Sequence, residues 1–513
     1  MAEVVLINPI AGEDAPPNPL KKVGIERFHI PMGLFSIATE LSKENINVKF
    51  IDVFAYHQIG EDYIKKIKEE LKDAIVVGFS VMTDCIKSSL KLTELIKKIN
   101  PEIKIVWGGV HPTLYPKQCC EHPLIDYVVL YEGEETLTEL TKRLQKKESI
   151  TDIRGIAYKK EGQVIINPPC SFVDIENSPL PNWELLDMRL YLEAPYKRFF
   201  PEREKVKTIS INSSRGCPHS CTFCINNILP RWQKWRMKSP KRVLQELEDA
   251  KNKFDMDFII FRDENFFLDK KRAKEICEGI IERKLNIKWS TTVRASEFKE
   301  THLNENLLKL IKKSGCVYLK LGAESGSNRI LELLKKDITV EDTENSAKIL
   351  NKHNISAFYS FMIGLPGETK EDMKNTLKLV KTIKKLCPDA TFNGPQVFRP
   401  YPGSTLYEEC KKMGFKEPDK LDGWSISEEK DIDHVVGYGD VYSYNWIKNK
   451  DFVLFVNAYY SQFVVPSLIE ILKKKGKRDF FIAIVEKLRW HTKFFKYLDL
   501  EYKINRWVLK IIK

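Results

Sequence analysis

Apolar positions along the first third of the chain follow two alternating rhythms. Val4–Ile7, Val48–Val53, Ile75–Ser80, Ile103–Trp107 and Tyr127–Leu130 are apolar at nearly every position, as strands buried on both faces are. Between them Met32–Leu41, Tyr63–Leu71 and Ile86–Ile99 place apolar residues at helical spacing. This alternation predicts a parallel sheet with helices on both faces, and ligands bound beyond the carboxyl ends of its strands. A hairpin-like stretch from Gly155 to Pro169 follows. A Pro-rich linker through Pro179, Pro181 and Pro195 then marks a domain boundary.

The rhythm resumes with Val206–Asn212, Phe258–Phe261, Ile287–Thr292, Val317–Leu321, Ser356–Ile363 and Thr391–Phe398. Pro240–Phe254 reads as a helix that Ser239 caps, with Pro240 in its first turn. Polar or glycine residues follow the later strands: Arg262-Asp263-Glu264-Asn265-Phe266, Arg294, Gly322-Ala323-Glu324-Ser325-Gly326, Gly364-Leu365-Pro366-Gly367-Glu368 and Arg399–Ser404. Such loops make the mouth of a (β/α) barrel. The expected fold is α/β: a Rossmann-like domain over 1–150, a hairpin and linker over 151–200, a partial (β/α)6 TIM-type barrel over 201–410, and a mostly helical region over 411–513.

At 513 residues two or three domains are expected, and 43% hydrophobic residues suffice for their cores. The net charge of +12 is uneven. From Asp451 onward thirteen basic side chains face six acidic ones, and this tail interleaves them with Phe480, Phe481, Trp490, Phe494, Phe495 and Trp507. Basic aromatic helices of this type either pack on their own protein or lie at a membrane surface beside anionic lipid; packing is favoured, with peripheral membrane contact left open. The start of the chain carries no secretory signal, and no run of eighteen apolar residues occurs. Eleven cysteines then point to reduced thiols in a cytoplasm.

The densest chemistry lies in Cys217-Pro218-His219-Ser220-Cys221-Thr222-Phe223-Cys224. Three thiolates at this spacing, on a loop leaving a strand, can hold three irons of a [4Fe–4S] cluster and leave the fourth iron open. Buried thiols or a zinc knuckle are the bland alternatives, and no second Cys/His pair stands at zinc-finger spacing. Cys277, Cys316, Cys387 and Cys410 are scattered and lack ligand spacing, and the first two read as core residues.

Cys-x-x-x-Cys-x-Phe-Cys resembles the signature of the radical S-adenosylmethionine (SAM) superfamily. The resemblance implies that SAM chelates the open iron and is cleaved to a 5′-deoxyadenosyl radical. It implies Phe223 near the adenine, Asp263, Glu264 and Asn265 near the methionine amine, Arg294 on a carboxylate, Glu324 near the ribose or methionine part, and Gly364 and Pro366 at the adenine. An external electron donor of flavodoxin or ferredoxin type is implied as well.

The first domain resembles the cobalamin (B12)-binding domain that precedes many radical SAM barrels. Ser80 and Thr83, Gly108, Gly109, His111 and Thr113, and Glu132, Gly133 and Glu134 match its ligand loops. The loop after the first strand, Asn8–Glu13, lacks the Asp-x-His-x-x-Gly that puts histidine on cobalt, so cobalamin is expected base-off with no protein histidine on the metal. The combination implies a cobalamin-dependent methyltransferase acting on an unactivated carbon of a small or lipid-like molecule, by hydrogen abstraction and methyl transfer from methylcobalamin. A non-methylating cyclase or oxidoreductase is the alternative. A tRNA methylthiotransferase fits less well, because its extra cluster cysteines and terminal β-barrel have no counterpart here, and no nucleic-acid partner is expected.

Overall fold

The computed structural model describes residues 3–10, 29–194, 206–228, 235–424, 444–450, 452, 453 and 456. Pro195 and the basic aromatic tail beyond 456 lie outside the described residues. The chain forms two compact units. One comprises Met1–Thr292, Leu303–Val317 and Pro400–Gly439, the other Val293–His302, Tyr318–Arg399 and Asp440–Lys513.

In the first unit seven strands form one sheet: β1 (Val4–Asn8), β2 (Val48–Asp52), β3 (Val76–Ser80), β4 (Lys104–Gly108), β5 (Tyr127–Val129), β6 (Ile156–Lys160) and β7 (Gln163–Ile166). Their order is β2-β1-β3-β4-β5-β6-β7. β1 to β5 run parallel, while β6 and β7 add an antiparallel hairpin at the edge. The apolar runs are buried because helices cover both faces: Val4 to Ile7, Val76 and Ile105 have no exposed surface. Asp52 ends β2 and caps the next helix by accepting from the Ala55 N–H, and it also accepts from Tyr191 and Asn8. Burial raises its carboxyl above the ordinary value, with those hydrogen bonds opposing.

The same unit holds β8 (Glu193–Ala194), β9 (Val206–Ile211), the short antiparallel pair β10 (Ser214–Gly216) and β11 (Trp235–Met237), then β12 (Phe258–Phe261) and β13 (Lys288–Val293). β12 pairs in parallel with both β9 and β13. The helix Pro240–Phe254 begins where expected, with the Ser239 side chain accepting from Arg242 N–H. Just ahead of the cysteines, Ser214–Gly216 pairs as β10 with β11. The partner strand Trp235-Arg236-Met237 alternates, but its three residues are too few to announce it.

The second unit contains β14 (Cys316–Glu324), β15 (Ser356–Ile363) and β16 (Thr391–Val397), parallel in that succession. β14 runs three residues further than its apolar pattern, through a register shift between Gly322 and Glu324. The helix Lys370–Leu386 starts with a capping box in which Thr369 and Asp372 satisfy each other's backbone N–H. Among the described residues no helix is long and apolar enough to cross a membrane.

Candidate functional site

The cysteine loop leaves the carboxyl end of β9. Ser213 and Ser214 open it, and both are fixed on buried Asp263, which stands on the next strand's loop. Asp263 accepts from Ser213 N–H (2.8 Å), Ser213 Oγ (2.5 Å) and Ser214 Oγ (2.6 Å). Arg272 donates to Ser213 O and Oγ, each at 2.7 Å. With both carboxylate oxygens engaged, Asp263 supports the loop. Gly216 then takes φ +80, a left-handed conformation favouring glycine, directly before Cys217.

Cys217 and Cys224 are half-buried and Cys221 is buried, with Cys224 N–H donating to Cys221 O at 3.0 Å. Among the described residues no three His, Cys, Asp or Glu side chains converge on one metal ion. A cubic cluster takes each thiolate on a different iron, so the loop fits it without such convergence. Elsewhere burial suppresses the thiolate: Cys120, Cys277 and Cys410 are each pushed up to about 12. Thr222, inside the loop, accepts from Leu406 N–H at 2.8 Å.

Glu264 differs from its neighbour. Its side chain is solvent-exposed, yet protein surrounds it closely enough that desolvation, helped by Asp263, raises its carboxyl to about 7. A carboxyl perturbed by desolvation in this way is a functional-site candidate. Asn265 is buried and accepts from Phe267 N–H at 3.3 Å.

In the second unit Arg294 is 7% exposed and caps a 3-10 turn. Glu324 ends β14 at φ +60, a conformation uncommon for a side chain of its size, and its carboxylate pairs with Lys336 at 2.8 Å. Gly322 makes room: a Cβ there would stand 2.1 Å from Glu324 Oε1. Gly364 takes φ +75, and its N–H and that of Leu365 both donate to Glu368 Oε2 (2.5 and 3.2 Å). Glu368 Oε1 is buried with no hydrogen bond, and burial raises the carboxyl to about 8. Pro366 follows in the same turn, and Trp446 Nε1 donates to Gly364 O at 3.0 Å.

The ligand loops of the first sheet lie at its carboxyl edge. His111 is fully buried; its Nδ1 stands 3.2 Å from Thr83 Oγ1, while Nε2 has no hydrogen-bond partner. Burial lowers its pKa to about 4, with Glu417 opposing, so the ring is neutral near pH 7. Tyr115 and Trp424 pack on the ring at 5.0 and 5.1 Å. Ser80 ends β3, and Gly109 needs its φ of +98 and its lack of a side chain, since a Cβ would come 3.0 Å from Val81 backbone. Met82 (47% exposed) and Tyr131 (37% exposed, φ +60) present large apolar surface on the loops after β3 and β5. A buried unpartnered imidazole nitrogen and this exposed apolar surface suit a large flat amide-fringed ligand such as a corrin. Gly133, 3.1 Å from Ile37 and Val129 at its missing Cβ, serves packing.

Three expected cobalamin contacts have other partners. Thr113 Oγ1 donates to Gly109 O (2.8 Å) and accepts from Tyr131 N–H (2.9 Å). Glu132 takes two guanidinium nitrogens of Arg236 (2.5 and 3.0 Å) and Nη1 of Arg215 (3.0 Å). Glu134, 3% exposed, accepts from Arg215 Nη2 at 2.8 Å. Burial would raise Glu132, but Arg236 and Arg215 override it and hold the carboxyl below its ordinary value. Thr113 thus ties its loop together by neutral hydrogen bonds, while ion pairs hold Glu132 and Glu134. Sequence reading missed Arg215 and Arg236 altogether.

The Radical SAM superfamily model matches residues 211–380, and the B12 binding domain model matches residues 23–141. An uncharacterized methyltransferase, PH0819, of Pyrococcus horikoshii is 33% identical over 74% of this chain and 78% of its own length. The chain belongs to the radical SAM family with a B12-binding domain. Within this family the anaerobic magnesium-protoporphyrin IX monomethyl ester cyclase of Rubrivivax gelatinosus is 29% identical over 71% of this chain and 63% of its own. The structure of the cobalamin-dependent SAM radical enzyme OxsB, with aqua-cobalamin and SAM bound, aligns over 99% of this radical SAM chain and 72% of its own. The TM-score is 0.64 at 20% identity. That likeness shows the fold: a Rossmann-like B12-binding domain followed by a partial (β/α) barrel, as the strand pattern predicted.

Proposed function

We propose that this radical SAM enzyme transfers a methyl group to an unactivated carbon of a small molecule, using cobalamin. The observation that carries the reading is the union, in one compact unit, of the open-spaced cysteine loop and the B12-type sheet edge. Its likeness to a methyltransferase at 33% identity supports methyl transfer. When bound, the cluster with SAM supplies a one-electron route to a carbon radical and cobalamin supplies a transferable methyl group.

The chain's residues do the rest. Cys217, Cys221 and Cys224 would hold the cluster, and Asp263 with Arg272 keeps their loop in place. Phe223, Glu264, Asn265, Arg294, Glu324, Gly364 and Pro366 are the SAM residues of this reading. Glu264, as a carboxylate, would accept from the amine. Ser80, Thr83, Gly108, Gly109 and His111 would hold cobalamin, with the neutral His111 Nε2 meeting an amide or hydroxyl. In this reading the domains would run over 1–150, 201–410 and 411–513, with a hairpin and linker over 151–200, and electrons would come from a small flavodoxin- or ferredoxin-type donor.

Turnover with methyl-labelled SAM tests this. S-adenosylhomocysteine, 5′-deoxyadenosine and a labelled product together support it. Release of 5′-deoxyadenosine without S-adenosylhomocysteine overturns methyl transfer in favour of a cyclisation or oxidation, the reading to which the cyclase relative points.

A further inference from the structure

The cysteine loop is anchored at both ends on two of the three loops of the first sheet that carry the cobalamin assignments. Ahead of Cys217, Arg215 on β10 reaches Glu132 at 3.0 Å and Glu134 at 2.8 Å, and Arg236 on β11 closes on the same Glu132 at 2.5 Å. Both carboxylates stand on the loop after β5. Arg215 also donates to Ser36 Oγ at 2.9 Å. Two guanidiniums and two carboxylates compensate one another, and a planar fork engaged on several acceptors fixes orientation as well as distance.

Behind Cys221 the connection is indirect but continuous. Thr222 O accepts from Leu406 N–H, and the next residue, Tyr407, donates its hydroxyl to Glu417 at 2.8 Å. Tyr115 donates to the same Glu417 oxygen at 2.6 Å, and Tyr115 N–H donates to His111 O at 2.9 Å. Trp424, farther along this segment, packs on His111 and donates to Gln118 Oε1 at 2.7 Å. The second anchor therefore ends on the loop that follows β4.

We propose that Arg215 with Glu132 and Glu134, and Glu417 with Tyr115 and Tyr407, are positioning residues through which filling the cobalamin site tightens the cysteine loop. This rests on the two-cofactor reading above. A ligand that orders the loops after β4 and β5 orders the anchors on them, and coupling between two sites runs equally in both directions.

The test uses the full chain with its cluster reconstituted, with and without hydroxocobalamin, and reads hydrogen exchange in peptides spanning 213–228. Wild-type exchange there is expected to slow about fivefold on adding hydroxocobalamin, the low end of intersite coupling. In the charge-neutral pair Arg215→Met with Glu134→Gln the slowing is lost. In Tyr115→Phe, which leaves every charge in place and decides the matter should the pair lose its cluster, it falls by at least half. Wild-type exchange indifferent to hydroxocobalamin, or Tyr115→Phe retaining the whole effect, overturns the proposal. Iron content and hydroxocobalamin absorbance are measured on the same samples. A wild type that takes up neither refutes the two-cofactor reading instead, whereas both bound without coupling refutes this inference alone.

Discussion

Asp263→Asn isolates the support beneath the cysteine loop. Asp263 accepts one N–H and two hydroxyl bonds at 2.5–2.8 Å in a buried place. A hydrogen bond to a charged group contributes about 1.5–3 kcal/mol against about 1 kcal/mol for a neutral pair. Asparagine preserves the shape but turns one acceptor oxygen into a donor facing Ser213 and Ser214. Ser213 Oγ already accepts from Arg272, so its own proton loses its partner. The net cost is about 2–4 kcal/mol, and Asp263→Ala, which strands all three donors, costs more. At about 2–4 °C per kcal/mol the variant melts about 4–16 °C lower. Because the loss falls on the loop, reconstituted iron per chain drops as well. The assay is a thermal melt of the cluster-free chain beside iron and sulfide determination after reconstitution. Asp263→Asn with unchanged melting and full iron would refute the reasoning.

Replacing Cys217, Cys221 or Cys224 singly by alanine should abolish the broad iron–sulfur absorbance, whereas Cys277→Ala should leave it intact and only loosen a core site. Glu264 is raised from 4.5 to about 7 in the folded chain. Between those values the folded state holds a proton the unfolded chain has released. Its stabilising contribution is therefore full below about 4.5 and is lost as pH rises through 7. Glu264→Gln should flatten the melting temperature of the ligand-free chain across that window and weaken SAM binding most above pH 7. Lys336→Met leaves the Glu324 carboxylate, 6% exposed, without its ion pair. A loss of about 3–5 kcal/mol in the melt of the second unit is expected, and Lys336→Arg should recover part of it.

Legibility followed the length scale of the forces. The helix over 86–99 and the strands over 258–261 and 356–363 stand where their apolar rhythm placed them, because burial acts residue by residue along a periodic face. The cysteine loop was equally plain, its ligands being seven residues apart at most. The ion pairs of Glu132 and Glu134 were not legible, because their arginines stand 81 and more residues away. The hold of Asp263 on the cysteine loop was hidden for the same reason: its serines lie 49 and 50 residues upstream. β14 overran its expected end because the ion pair at Glu324, with a glycine making room, sustains a bulged strand where no apolar side chain could signal one.

The hydrogen bond from Leu406 N–H to Thr222 O has a consequence for biosynthesis. Domains fold in order as a chain emerges from the ribosome, and the first sheet is complete by Ile166. The three cysteines emerge soon afterwards, but the residue that closes their loop is translated about 180 positions later. Throughout that interval the thiols are held from one side alone. Cluster insertion is then expected to follow synthesis of Leu406, and fragments ending before residue 400 should accumulate as oxidation-prone apoprotein even though they carry Cys217, Cys221 and Cys224.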